Sequence, residues 1–319
     1  VAGGGGGGNA GDGSGAWGAG GGGGAGGFLT ATGTSLISQD YTITVGDGGA
    51  GAGYQISAEN GADGANSIIA PVSGTTYTAL GGGAGASGVG TSTGNVGGSG
   101  GGGAYSSRAS GLGTAGPPRQ GYDGGVNTYV PGGAAGGGGG AQGGAASSGG
   151  AMGGTGVSNN YRDGSAGTTK GTNYFAGGGS GGSYDQTAGL INAYGGGAGG
   201  IRAGTVNGTS NGSAAVANTG GGGGGGSNSV DNAADKGGAG GAGGKGVVII
   251  RYEDTGFTSN NMTLQSLATT AEATATKGDL VMTYSNGVAG AGGVTAINTD
   301  LTAEFSADNG STWAAMTLV

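Results

Sequence analysis

The sequence predicts a mostly irregular and β fold: a bundle of polyglycine II helices with flanking β-strands, followed by a small, sandwich-like all-β domain. Three observations carry this. Ninety-seven of the 319 residues are glycine, and only seven of them follow Glu253. The glycines come in runs, such as Gly3 to Gly8 and Gly220 to Gly226, and there are four prolines, so the strict period and proline content of collagen are missing. The runs alternate with apolar and tyrosine-bearing segments, which a flexible linker does not need. The chain therefore divides into a glycine-rich region, residues 1–252, and a second region, residues 253–319, of ordinary composition.

Glycine loses more backbone entropy on folding than any other residue, so α-helix is a poor choice for the runs. A polyproline II backbone has three residues per turn, a rise of ~3.1 Å and no internal hydrogen bonds. Its N–H and C=O groups must then pair with neighbours. Without Cβ atoms such helices approach closely enough to pair on every side, with Cα–H···O contacts as a smaller term. The expected core is backbone. That accounts for a compact chain of which only 34% is hydrophobic.

The elements follow in order. Phe28 to Ile37 is β-like, and Tyr41, Ile43 and Val45 alternate as in a half-buried strand. Gly46-Asp47-Gly48-Gly49 ends that strand as a turn. Further strands are expected at Ser67–Pro71 and Thr75–Leu80. Glycine runs then occupy 81–90, 97–103, 132–154, 177–182, 195–200, 220–226 and 237–246. Insertions with larger side chains lie at 104–131, 155–176, 183–194, 201–219 and 227–236. Such irregular repeats place their insertions on one face or end of a stacked array. Val247 to Tyr252 is a β-branched strand expected to close the region against an N-terminal strand such as Tyr41–Val45. In the second region Met262–Leu264, Leu280–Tyr284 and Leu301–Phe305 are strand-like, and Asp308-Asn309-Gly310-Ser311 is a hairpin turn leading into Thr312–Leu318. The start at Val1 without Met and the strand-like end suggest a processed product or a segment of a longer protein.

Composition excludes several function classes. The net charge is −8, charged residues are 8% of the chain, and the nine Lys and Arg are scattered. No basic stripe exists to neutralise phosphates, so no nucleic-acid partner is expected. Absent cysteine removes disulfides and thiolate metal sites, and absent histidine removes the commonest general base and metal ligand. No apolar run approaches the ~18 residues of a membrane span, so no membrane insertion is expected. Gly-x-Gly-x-x-Gly matches are combinatorial here, and Gly243-Gly244-Lys245-Gly246 lacks the first glycine and the final Ser or Thr of a phosphate loop. Asp300, Glu304 and Asp308 could gather near one end of the β-domain, but as a turn Asp and a solvated strand face, and Asp308-Asn309-Gly310 lacks the full spacing of a calcium loop. No acid–base pair or nucleophile emerges, so the chain is expected to be no enzyme, with no catalytic residue, cofactor or metal.

Aromatic placement is more informative. Seven of the 12 tyrosines lie between residues 105 and 194. The candidate receptor-binding residues are Tyr105, Arg108, Arg119, Tyr122, Tyr129, Tyr161, Arg162, Tyr174, Phe175, Tyr184 and Tyr194. Tyrosine among Ser, Gly and Asn, with occasional Arg, gives rigid amphipathic contact area at low entropic cost. The same rings would also serve simply to cover the ends of a bundle, and the two roles are compatible.

Tyr41-Thr42-Ile43-Thr44-Val45-Gly46-Asp47-Gly48-Gly49, then Thr78-Ala79-Leu80-Gly81-Gly82-Gly83, then Gly243 to Tyr252 resemble the glycine-rich domain of bacteriophage tail fibres and adhesins. The resemblance covers about residues 1–252. A similar domain occurs in some animal receptor kinases, and snow-flea antifreeze proteins share the polyglycine II idea. The second region, through Ala271 to Leu280 and Asn298-Thr299-Asp300-Leu301 through Asp308-Asn309-Gly310, resembles a module of marine-phage tail fibres. These resemblances imply a non-enzymatic virion fibre or tail-tip protein, extracellular on the particle. They imply a scaffold whose loops meet a host cell-surface receptor, a glycan or an outer-membrane protein. Other fibre or virion proteins would be partners, and a homotrimer fits a fibre. A structural subunit of an extracellular filament and an ice-binding protein are the alternative readings.

Overall fold

The computed structural model describes residues 1–11, 18–34, 37, 39–53, 59–105, 109–128, 131–162, 173–184, 194–201, 210–228, 237–251, 297–299 and 301–319. The chain forms two compact units, Val1–Ile250 and Arg251–Val319. No helix occurs among the described residues. Regular structure is limited to short antiparallel strands: β1 (Tyr41–Thr44), β2 (Ser67–Pro71), β3 (Tyr77–Ala79), β4 (Val157–Ser158), β5 (Tyr174–Phe175), β6 (Ala303–Phe305) and β7 (Ala314–Met316). The rest of the described chain is irregular by strand and helix criteria, yet its backbone is heavily hydrogen-bonded.

Run 2–11 shows how. Its N–H groups turn to three neighbours in rotation. Ala2, Gly5, Gly8 and Gly11 donate to the carbonyls of Gly27, Gly24, Gly21 and Gly18. Gly3 and Gly6 donate to Ala65 and Ala62, while Gly4, Gly7 and Ala10 donate to Gly244, Gly241 and Gly238. Its carbonyls serve three further neighbours: Gly3, Gly6 and Asn9 accept from Gly82, Gly85 and Gly88, Gly4 and Gly7 from Gly49 and Ala52, and Gly5 and Gly8 from Gly223 and Gly226. One run thus has six neighbours, and each neighbour recurs every third residue. Runs 18–28 and 219–228 are surrounded in the same way, and the three border one another at the centre of the unit.

The close approach explains the glycine. A Cβ added at Gly7 would overlap the carbonyl of Gly224, one at Gly23 that of Gly5, and one at Gly222 that of Gly23. The need is for space, not for a left-handed backbone. Positive-φ glycines of this unit, such as Gly150, Gly195 and Gly220, sit in turns or at the starts of runs. Buried side chains are correspondingly small: Ala2, Ala10, Ala19, Ala25, Ala84 and Ala86 are fully buried, and Phe175 is the largest side chain that is.

Outer runs carry a side chain at every third residue. Residues 237–245 read Gly-Gly-Ala-Gly-Gly-Ala-Gly-Gly-Lys. Gly238, Gly241 and Gly244 are buried and donate to run 219–228, while Ala242 and Lys245 are exposed. Lys245 pairs with Asp47 on the adjoining outer run at 3.1 Å. Where a backbone neighbour is lacking, side chains substitute. Asn66, Asp63 and Asn60, also three apart, accept from the N–H groups of Gly81, Ala84 and Ser87 at 2.8–2.9 Å.

Several segments differ from expectation. Phe28 to Ile37 contains no strand among its described residues, and neither do residues 247–251. Val247 exchanges hydrogen bonds with Val1 instead of joining β1. Apolar alternation also overstated the burial of β1, because Ile43 is 47% exposed. The glycine run 132–154 is three passes, since Gly139–Ala141 and Ser147–Gly150 are bends and turns. Insertion 104–131 likewise contains two passes, 109–114 and 120–126, which pair with runs 98–103 and 132–138.

In the second unit β6 and β7 form a hairpin with Ala303 opposite Met316 and Phe305 opposite Ala314. The turn holds Asn309 and Gly310 at φ 55° and 82°. The expected strands Met262–Leu264 and Leu280–Tyr284 lie outside the described residues.

Candidate functional site

Because successive passes run up and down, their connections emerge at two ends. The hydrogen-bond register assigns each. Val1, Gly27, Leu80, Ala176, Gly220 and Val247 share one end, here the base; Gly11, Gly18, Gly88, Gly226 and Gly238 lie toward the other, the apex. The described flanks of the insertions therefore lie at both ends, not at the single face or end expected.

The base gathers most of the candidate residues. β4 and β5 form a hairpin there, with Val157 opposite Phe175 and Ser158 opposite Tyr174. The N–H of Asn159 donates to Asn173, and the N–H of Tyr161 to the Asn159 side chain at 2.7 Å. The Arg162 guanidinium lies 4.9 Å from the centre of the buried Phe175 ring and donates to the Asn218 carbonyl at 3.4 Å. Tyr174 and Tyr194 meet edge to face, with centroids 5.1 Å apart. Arg119 stacks on Tyr122 at 4.4 Å and donates to Gly121 at 3.2 Å. Each guanidinium gains a ring face and a carbonyl together, which fixes its plane.

Tyr105 and Tyr184 lie at the apex. Tyr105 packs on Gly18, where a Cβ would collide with its side chain. Tyr184 donates its N–H to Ser148 at 2.8 Å. Both are half-buried, as are Tyr122, Tyr161, Tyr174 and Tyr194. Arg108 and Tyr129 lie outside the described residues. The described candidates are thus two groups at opposite ends.

Sequence reading missed the polar residues that close gaps in the backbone network. Gln120 is the clearest. Its side-chain amide lies along the outer edge of β3, donating to Thr78 at 3.2 Å and accepting from Leu80 at 2.8 Å. The Asn60, Asp63 and Asn66 ladder is the other. Its signal was available as amide or carboxylate side chains at a spacing of three, the repeat of the runs themselves. Among the described residues no group of three or more Asp or Glu side chains is placed to hold a metal ion.

The described residues of the first unit are thus helix-free, with a backbone core and aromatic side chains at its two ends. The chain belongs to the glycine-rich domain family, whose profile matches residues 1–253. It matches no curated protein and no solved structure.

Proposed function

We propose that residues 1–252 are a bundle of polyglycine II helices acting as the non-enzymatic scaffold of a virion fibre or tail-tip protein, with loops that recognise a host surface. The observation that carries the scaffold reading is the three-residue rotation of hydrogen bonds around runs 2–11, 18–28 and 219–228. That is the repeat of a polyproline II backbone, whose outward N–H and C=O groups need partners. In these runs every glycine but Gly220 lies outside the left-handed region, which agrees with it.

The fibre role rests on the resemblance of the landmarks at Tyr41–Gly49, Thr78–Gly83 and Gly243–Tyr252 to phage tail-fibre and adhesin domains. On this reading the protein is extracellular on the particle. Its partners are a host glycan or outer-membrane protein and further fibre components. The C-terminal hairpin belongs to a small all-β connector spanning residues 253–319. Half-buried tyrosines beside stacked guanidinium groups supply the contact chemistry.

The test is binding of fluorescently labelled protein to host cells. Substitution of Tyr122, Tyr161 and Tyr174 by Ala at the base, or of Tyr105 and Tyr184 at the apex, is expected to weaken binding at least tenfold in one of the two sets. Absence of binding to every host tested would leave the scaffold role alone.

A further inference from the structure

The three-stranded sheet at the base has two edges that are treated differently. In the β1–β2 pair, Val72 donates to Asp40, so Thr42 and Thr44 direct their backbone groups to β2 while Tyr41 and Ile43 direct theirs outward. The Gln120 amide occupies the outer edge of β3. The outer edge of β1 has no such cover: Tyr41 and Ile43 find no backbone acceptor among the described residues, and Thr42, Ile43 and Thr44 are exposed. Proteins usually blunt such an edge with a charge, a proline or a bulge. Tyr41-Thr42-Ile43-Thr44 has none of these.

We propose that β1 pairs antiparallel with β1 of a second copy of this chain. The strand is its own complement. With Thr42 opposite Thr42 of the second copy, the outward groups of Tyr41 face those of Ile43 and the reverse, so both narrow hydrogen-bonded pairs are completed. Each pair sets an aromatic ring beside a β-branched side chain, a favourable cross-strand combination. Register also places Tyr41 and Ile43 on the same face as Ile69, Pro71 and Tyr77. Ile43 is 47% and Tyr77 39% exposed, so the pairing extends an apolar face that is partly open in the single chain. The contact is isologous and closes at two copies. The blocked β3 edge prevents growth into a longer sheet.

Sedimentation velocity of the full chain over a concentration series tests this. A monomer–dimer equilibrium is expected, with the dimer weakened at least about tenfold by Ile43→Lys, which places a charge beside Tyr41 of the second copy, and by Ile43→Pro, which removes an outward N–H. Ile43→Val should retain it. Should a variant unfold, amide exchange of the unaltered protein supplies the answer: protection of Tyr41 and Ile43 must rise with concentration. A chain monomeric throughout, a dimer indifferent to both variants, or protection independent of concentration would overturn the proposal.

Discussion

Consider Gly223→Ala in run 219–228. Gly223 donates to Gly5 and accepts from Gly23, so it joins all three central runs. Its Cβ position overlaps the carbonyl of Gly241 on a fourth. Backbone meets backbone there, so no flexible side chain can move aside. Run 237–247 must retreat, and it is tied to run 219–228 by four bonds, Gly238 to Ser227, Gly241 to Gly224, Gly244 to Gly221 and Gly220 to Lys245. At about 0.5–1.5 kcal/mol net for each bond, loss of all four costs about 2–6 kcal/mol. Alanine also restricts the unfolded chain, which returns about 0.4–1 kcal/mol. The expected net destabilisation is about 1–6 kcal/mol, a large part of the 5–15 kcal/mol typical of a domain. Guanidinium denaturation followed by circular dichroism measures it. The control is Ala242→Gly on the exposed position of run 237–247, expected to cost about 1 kcal/mol or less through the unfolded state alone. If Gly223→Ala were as stable as the parent, or more so, the argument that close backbone contact dictates glycine would be wrong.

Other outcomes follow from the same structure. Asp63→Asn keeps an acceptor for Ala84 and should change stability by about 0.5 kcal/mol or less, whereas Asp63→Ala strands that N–H and should cost about 1–3 kcal/mol in the same denaturation assay. Phe175→Ala should cost about 3–5 kcal/mol, since the ring is 1% exposed, while Arg162→Ala loses one exposed stack worth about 1 kcal/mol. In the C-terminal hairpin, hydrogen bonds from the Thr312 hydroxyl and amide, then the Ser306 hydroxyl, hold the Asp308 carboxyl at about 2, below its ordinary 3.8. A depressed folded value means the turn's stabilisation is complete above about pH 4 and lost as pH falls through about 2. The Thr312 amide shift in an NMR titration should report that loss, and Asp308→Asn should abolish the titration.

Local signals in the sequence were legible where side chains decide structure. Ser67–Pro71 is a strand with the expected bounds, and the Asp308-Asn309-Gly310-Ser311 turn lies where its residues demand. The glycine runs showed that the core had to be small-residue backbone, but not which run meets which. Run 2–11 pairs with residues as far away as Gly244, and nothing in a glycine distinguishes one partner from another. Centre and periphery were in fact encoded. Unbroken glycine in 3–8 and 220–226 marks runs surrounded on all sides, and Gly-Gly-X in 237–245 marks a run with one open face. Val247–Ile250 misled because β-branched residues suit strands, whereas here Val247 continues the pairing of an outer run and meets Val1. The candidate loops were found as tyrosine-rich insertions. Their division between two ends depended on counting passes, and two passes were hidden inside 104–131.

The central claim is that glycine runs hydrogen-bond outward in a rotation of three. Through-hydrogen-bond scalar couplings between amide nitrogens and carbonyl carbons in isotopically labelled protein test it most directly. For residues 222–226 the account predicts couplings from Gly222 to Gly177, Gly223 to Gly5, Gly224 to Ser213, Gly225 to Ser180 and Gly226 to Gly8, so that the partner segment recurs every third residue. Couplings from each residue to the one four before it, as in an α-helix, or no couplings and random-coil shifts, would contradict it.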